Sequence, residues 1–243
     1  MTGYNPYAPP TQDPGLAGAA MAGAPRGAPM PWTISEVLNV GFAAVRKRPL
    51  ELIGGFFLIN LLAQLPGQLP LVLSLAGVVS ETTPVFWVIQ VVSLLGSMIV
   101  GAYAGVGQLR VALAAARDEE FDFGLFFSGG DRMLPMLGAM MLVYLGGLLG
   151  MLLLIIPGII LLLGWGLVGA LIADTDVGVM ESLRESWEAM QGHKVSLLLF
   201  FLVSGLLSIA GLCACYVGLF VVLPAIVVAF AEVYRRVTGR YGA

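Results

Sequence analysis

LPMLGAMMLVYLGGLLGMLLLIIPGIILLLGWGLVGALIA, residues 134–173, contains no Asp, Glu, His, Lys or Arg. A span of about 20 apolar residues crosses a bilayer as a helix, so this stretch is long enough for two spans. Pro157-Gly158 near its middle marks the expected turn, with spans at about Leu134 to Ile156 and Ile159 to Ala173. The stretch is bracketed by Arg132 and Arg184, and the same arrangement recurs outward from it. The basic residues cluster at Arg26 to Arg48, Arg110 to Arg132, Arg184 to Lys194 and Arg235 to Arg240. The gaps 49–109, 133–183 and 195–234 contain no Lys or Arg. Cytoplasmic loops carry the excess of Lys and Arg. The pattern predicts an all-α polytopic membrane protein: six transmembrane helices as three hairpins, with both termini cytoplasmic.

Composition excludes the main alternatives. Hydrophobic residues make up 58% of the chain and charged residues 11%, against roughly 25% charged in a soluble domain. No basic face is dense enough to neutralise many phosphates, so no nucleic-acid partner is expected. Cys213 and Cys215 are too few and too close for a disulfide framework. Residues 1–31 are rich in Pro, Gly and Ala and read as a disordered cytoplasmic tail, ahead of a six-helix membrane domain over 32–243.

Two amphipathic segments border the spans. Thr33 and Glu36 have capping-box spacing, with Trp32 and Val37 placed as a hydrophobic staple. Ile34, Val37, Leu38, Gly41, Phe42 and Val45 then recur at helical spacing up to Arg46-Lys47-Arg48. Around 177–191, Met180, Leu183, Trp187 and Met190 form one stripe, with Glu181, Arg184, Glu185 and Glu188 off it. Both segments read as helices on the cytoplasmic membrane surface. Glu36, Leu38 and Phe42 match Glu181, Leu183 and Trp187 at a constant offset of 145, a weak internal repeat.

The first span covers about Leu50 to Leu65, and Pro66-Gly67 and Pro70 interrupt the apolar sequence beyond it. Residues 66–79 are read as either a kinked helix end or a separate outer-leaflet helix. The second span runs from near Val85 towards Leu113, and Arg110 is placed to snorkel to the headgroups. The last gap is short, so the fifth and sixth helices meet in a tight turn near Cys213 to Gly218.

Chemistry-bearing residues are sparse. Asn60, Gln64 and Gln68 share one face of the first span, with Gln90 in the paired helix. They form either a polar path for a solute or, the preferred reading, a set of interhelical hydrogen bonds. Ser93, Ser97, Gly101 and Gly105, and likewise Gly146 and Gly150, read as faces for close helix packing. Asp174, Asp176, Glu181, Arg184, Trp187 and His193 form a candidate partner surface. His193 is the only histidine, so no His-based metal site forms within one chain. No cofactor-binding or catalytic motif is present.

Four stretches carry a resemblance: Phe123-Gly124-Leu125-Phe126, Ile156-Pro157-Gly158-Ile159-Ile160, Ala173-Asp174, and Glu181 to Trp187 with Gly192-His193. In these, and in the segment 33–48 that is similar to the start of the same group, the chain resembles over about 32–238 a broad group of bacterial six-helix membrane proteins of unknown function. That group is related to the membrane domain of some glycerophosphodiester phosphodiesterases. The resemblance implies a bacterial plasma (inner) membrane location. It transfers no enzyme activity, since the catalytic phosphodiesterase domain is missing, and it supplies no binding residues. The expected role is a non-enzymatic accessory or scaffold subunit that binds lipids or another membrane protein. The alternatives are a transporter of an uncharged or lipid-like solute and, more weakly, an interfacial lipid-headgroup enzyme. The sequence leaves the oligomeric state open.

Overall fold

Thr33 Oγ1 accepts the Glu36 N–H at 3.4 Å, and the Glu36 carboxylate accepts the Thr33 N–H at 3.3 Å. This capping box starts α1, Ile34–Lys47. The structure, a computed structural model, describes residues 29–213 and 217–240. Most of the tail at 1–31, Cys215 and part of the turn at Cys213 to Gly218 lie outside these residues.

Pro49 opens α2, Pro49–Leu75, at a position where a missing N–H costs nothing. The helix continues through Pro66 and Pro70 to Leu75. Residues 66–75 are therefore the end of one helix, and no separate outer helix forms. The loop 76–83 leads to α3, Pro84–Ala116. The two helices run antiparallel, with Gly67 against Ser97 and Gly96 against Pro66. Two 3-10 turns, Phe123–Phe127 and Gly129–Asp131, then fold back on α3.

α4, Met133–Leu153, ends at Leu154, whose extended backbone (φ −160°, ψ 133°) makes the turn. The turn expected at Pro157-Gly158 thus falls three residues earlier, and both residues lie inside α5, Ile155–Gly164. Pro157 sits in the first helical turn, where N–H groups have no intrahelical acceptor. Gly158 marks a close crossing: a Cβ there would fall 2.6 Å from the backbone N of Met151. The expected single helix to Ala173 is also broken. Trp165 to Leu167 form a turn, and α6 covers Val168–Asp174.

α7, Val179–Ala189, is the second amphipathic helix. α8 and α9 are Lys194–Cys213 and Val217–Thr238. Among the described residues, six helical stretches are long and apolar enough to cross a membrane: α2, α3, α4, α5 with α6, α8, and Gly218–Thr238 of α9. The chain is an all-α, multi-pass membrane protein.

α1 turns its apolar face onto the protein. Val37, Gly41 and Val45 are buried, and a Cβ on Gly41 would lie 2.0 Å from the Ala225 carbonyl oxygen of α9. The basic clusters meet at this same end of the bundle. Lys47 pairs with Asp118, Arg117 with Asp174, Arg236 with Glu36, and Arg240 with Glu185. The core is concentrated here, around Leu52, Phe126, Leu171, Phe200 and Tyr234. Towards the other end the spans are mostly exposed.

Candidate functional site

The polar groups of the basic end are cross-linked into one layer. Arg117, just past the end of α3, reaches Asp174 at the end of α6 with an N–O distance of 2.6 Å. Asp174 also accepts the Tyr234 hydroxyl of α9 at 3.0 Å. The Tyr234 oxygen in turn accepts from Arg240 at 3.0 Å, and Arg240 reaches Glu185 of α7 at 2.7 Å. Four helices and Arg240, just past the end of α9, are tied through this relay. A second group centres on Glu232, which accepts from Arg235 at 2.6 Å and Arg236 at 2.7 Å. Arg236 extends to Glu36 of α1 at 2.8 Å, and Arg235 bonds the Ala116 carbonyl.

Arg110 is not snorkelling. Its guanidinium grips both Asp131 oxygens at 2.9 and 2.7 Å, the Ser128 carbonyl at 2.5 Å and the Ala173 carbonyl at 3.3 Å. A fork of this kind suits the planar guanidinium. The hydrogen bond from Arg110 holds the Asp131 carboxyl below the usual carboxylate range. Lys47 does the same, by hydrogen bond and charge, for Asp118. With their carboxylates more than half exposed, pairs of this kind contribute little to net stability.

A serine clamp joins α7 to the broken span. Ser186 Oγ donates to the Gly164 carbonyl at 2.9 Å and accepts the Leu167 N–H at 3.1 Å. These are backbone groups freed by the break. Non-helical backbone in a membrane span needs such partners.

The candidate partner surface divides. Asp174 is drawn into the relay and is nearly buried. Asp176 stays exposed and pairs with Arg132. Arg184 forms a surface pair with Glu188 at 2.9 Å, and Glu181 is exposed. Trp187 packs on Gly164 and lies under the Lys194 ammonium, 3.4 Å from the ring centroid. The His193 side chain makes no hydrogen bond among the described residues and does not converge with the acids. The predicted α7 stripe is also rotated. Ser182, Leu183, Ser186 and Met190 are buried, whereas Met180 is 71% exposed.

The intramembrane polar face is placed differently from expectation. Asn60, Gln64, Gln68 and Gln90 are all exposed. Asn60 Nδ2 donates to its own helix, at the Phe56 carbonyl, at 2.7 Å. No hydrogen bond joins any of the four to another helix among the described residues. The α2–α3 register places Gln90 beyond Gln68, towards the loop 76–83. Asn60 borders a crevice of about 90 Å³ between α2 and α9, with Phe57, Phe220 and Pro224. A larger apolar crevice of about 230 Å³ lies beside the broken span, among Met136, Met140, Tyr144 and Trp165.

Sequence reasoning alone does not single out Ser186, Tyr234, Glu232 or Arg240. One signal does exist: Glu232 lies three and four residues before Arg235 and Arg236, the spacing of paired charges on a helix. Comparison with known proteins adds no assignment: no family model, no curated protein and no solved structure matches the chain.

Proposed function

We propose that the chain is a non-enzymatic accessory or scaffold subunit that holds lipids or another membrane protein. The observation that carries this reading is the contrast between a charge-locked end and bare spans. Leu75, Trp87, Leu148, Leu152 and Leu206 are all more than half exposed. Such a surface offers a long lateral contact on a rigid base. Purification in mild detergent, with mass spectrometry of bound proteins and lipids, tests it. A stoichiometric co-purifying protein or a selectively retained lipid is the expected result. Recovery of the bare chain with bulk-composition lipid would overturn it.

The proposed location is the bacterial plasma membrane, with the basic end in the cytoplasm, in line with the one-sided basic clusters. Kinship with the six-helix membrane domains of some glycerophosphodiester phosphodiesterases belongs to the same proposal. A cysteine at Glu81, in a background lacking Cys213 and Cys215, should react with an impermeant thiol reagent outside intact cells. A cysteine at Glu188 should not. The transporter of an uncharged or lipid-like solute is the second reading, favoured by the apolar crevice of about 230 Å³ beside the broken span.

A further inference from the structure

Gln64 and Gln68 lie in a seam along α2. Phe57, Leu61, Gln64, Gln68, Leu71 and Leu75 recur at alternating steps of four and three residues, and all six are exposed. This is the seven-residue spacing of a helix–helix seam. α3 covers a different side of α2, through Pro66 and Gly67. Asn60 flanks the same stripe.

The depth of these groups makes their exposure informative. α2 has 27 residues, so Asn60 and Gln64 flank its midpoint. At about 1.5 Å per residue, Gln68 lies about 9 Å beyond the midpoint. That is inside a hydrocarbon core about 30 Å thick. Gln64 and Gln68 make no hydrogen bond among the described residues. Pro66 and Pro70 also remove the helical donors for the Leu62 and Pro66 carbonyls. Lipid tails offer neither donors nor acceptors to any of these groups.

We propose that this face of α2 pairs with the same face of a second copy of the chain, about a two-fold axis along the membrane normal. Two copies inserted by the same rule share one orientation. A two-fold along the normal then sets their α2 helices parallel, with Gln64 opposite Gln64 and Gln68 opposite Gln68. A carboxamide carries both donor and acceptor, so it can satisfy its own copy. An isologous contact needs that self-complementarity. Leu61, Leu71 and Leu75 supply the apolar packing around the carboxamides, together with the exposed edge of Phe57, whose other side meets the Phe220 ring of α9. This goes beyond the scaffold reading, because the contact is independent of what else the chain binds.

The test uses the full chain in native membranes, with Cys213 and Cys215 replaced by Ser. Single cysteines are introduced as Gln64→Cys, Gln68→Cys, Leu62→Cys on the far side of α2, and Leu206→Cys on α8. Under oxidation, the first two should give a disulfide-linked species of twice the chain mass, and the last two should not. Adding Gln64→Leu to the Gln68→Cys chain should reduce that species about threefold. An interhelical contact in a membrane averages about 0.6 kcal/mol, which corresponds to that factor. Equal cross-linking at all four positions would indicate random collision. A cross-linked species of another mass would indicate a foreign helix. Rapid reaction of the position-64 cysteine with a water-soluble maleimide would indicate a water-lined path. Each of these three results overturns the proposal. As a check free of substitutions at the seam, the parent chain in lipid vesicles should show two copies per particle by single-molecule photobleaching. One copy would also overturn it.

Discussion

Leu52, Val111, Phe126, Leu171 and Phe200, towards the basic end, are fully buried, whereas Leu75, Trp87, Leu152 and Leu206, towards the other end, stand mostly exposed. Leucines stand in both groups and all of these side chains are apolar, so hydrophobicity does not explain the difference. In a bilayer, lipid tails solvate Leu as well as another Leu does, and apolar side chains alone do not draw spans together. Polar bonds and close backbone approaches do. At the basic end, Arg117, Asp174, Tyr234, Arg240 and Glu185 supply the first. Gly41 and Gly107 supply the second, each facing a backbone carbonyl at a distance no Cβ could share. Among the described residues, the other end shows close approaches between neighbouring helices, such as Gly150 with Gly158 and Gly211 with Gly218.

The strongest way to break this contrast is to remove Asp174. Asp174→Ala should cost about 3 kcal/mol or more, because it strips the nearly buried Arg117 and the Tyr234 hydroxyl of their acceptor. The readout is thermal unfolding in detergent. An unchanged melting temperature would mean that the charge layer does not hold the bundle.

Glycines give a graded test. Gly107→Ala would place a Cβ 1.9 Å from the Phe126 carbonyl oxygen. A loss of about 1–3 kcal/mol is expected from overpacking. At Gly101 a Cβ meets nothing within 4 Å among the described residues. Gly101→Ala should therefore leave the melting temperature unchanged or slightly raised. Equal losses at both positions would erase the distinction between packed and bare stretches.

A smaller effect sharpens the position of α7. Trp187 is 36% exposed and packs on Gly164. Trp187→Ala should cost roughly 1–2 kcal/mol, part of the value for a fully buried aromatic. Met180→Ala, on an outward side chain, should change little. Comparable losses for the two would restore the stripe expected from the sequence.

The smallest expected effect is acid sensitivity of the exposed pairs. The folded-state carboxyls of Asp131 and Asp118 are held below their ordinary values by Arg110 and Lys47. The unfolded chain therefore binds their protons first as pH falls. Their contribution is complete above the ordinary carboxylate value of about 4 and is lost as pH drops through the lowered values. A shallow fall in melting temperature confined to that acid window is expected. Asp131→Asn with Asp118→Asn should flatten it.

Span number and the two amphipathic helices, α1 and α7, are legible in the sequence because charge and hydropathy mark them directly. The capping box at Thr33 and Glu36 is legible to the residue. The offset of 145 also reaches further than its matching side chains. It carries the buried Val37, Gly41 and Val45 of α1 onto the buried Ser182, Ser186 and Met190 of α7. The α7 stripe misleads for the same reason. Small serines mark its buried face, and hydrophobicity does not report them. The turn at Leu154 is invisible because Leu has no turn signature, while Pro157 is equally at home in the first turn of a helix. The relay around Tyr234 depends on contacts between residues 55 to 60 positions apart: Arg117 with Asp174, Asp174 with Tyr234, and Glu185 with Arg240. No local pattern encodes those.

The serine clamp has a consequence for timing. Leu167 precedes Ser186 by 19 residues, so the fourth span leaves the ribosome ahead of its partner. Until then, the carbonyl and amide exposed by the break would have only lipid around them. The expected order is that the span enters the membrane as an unbroken helix and opens at Trp165 when Ser186 arrives. A chain ended at Gly178 should accordingly show slow hydrogen exchange at the amides of residues 165–168. Fast exchange there would mean that the break forms without help. If the order holds, the bend in this span records a late act of assembly, imposed on a finished helix by a segment made after it.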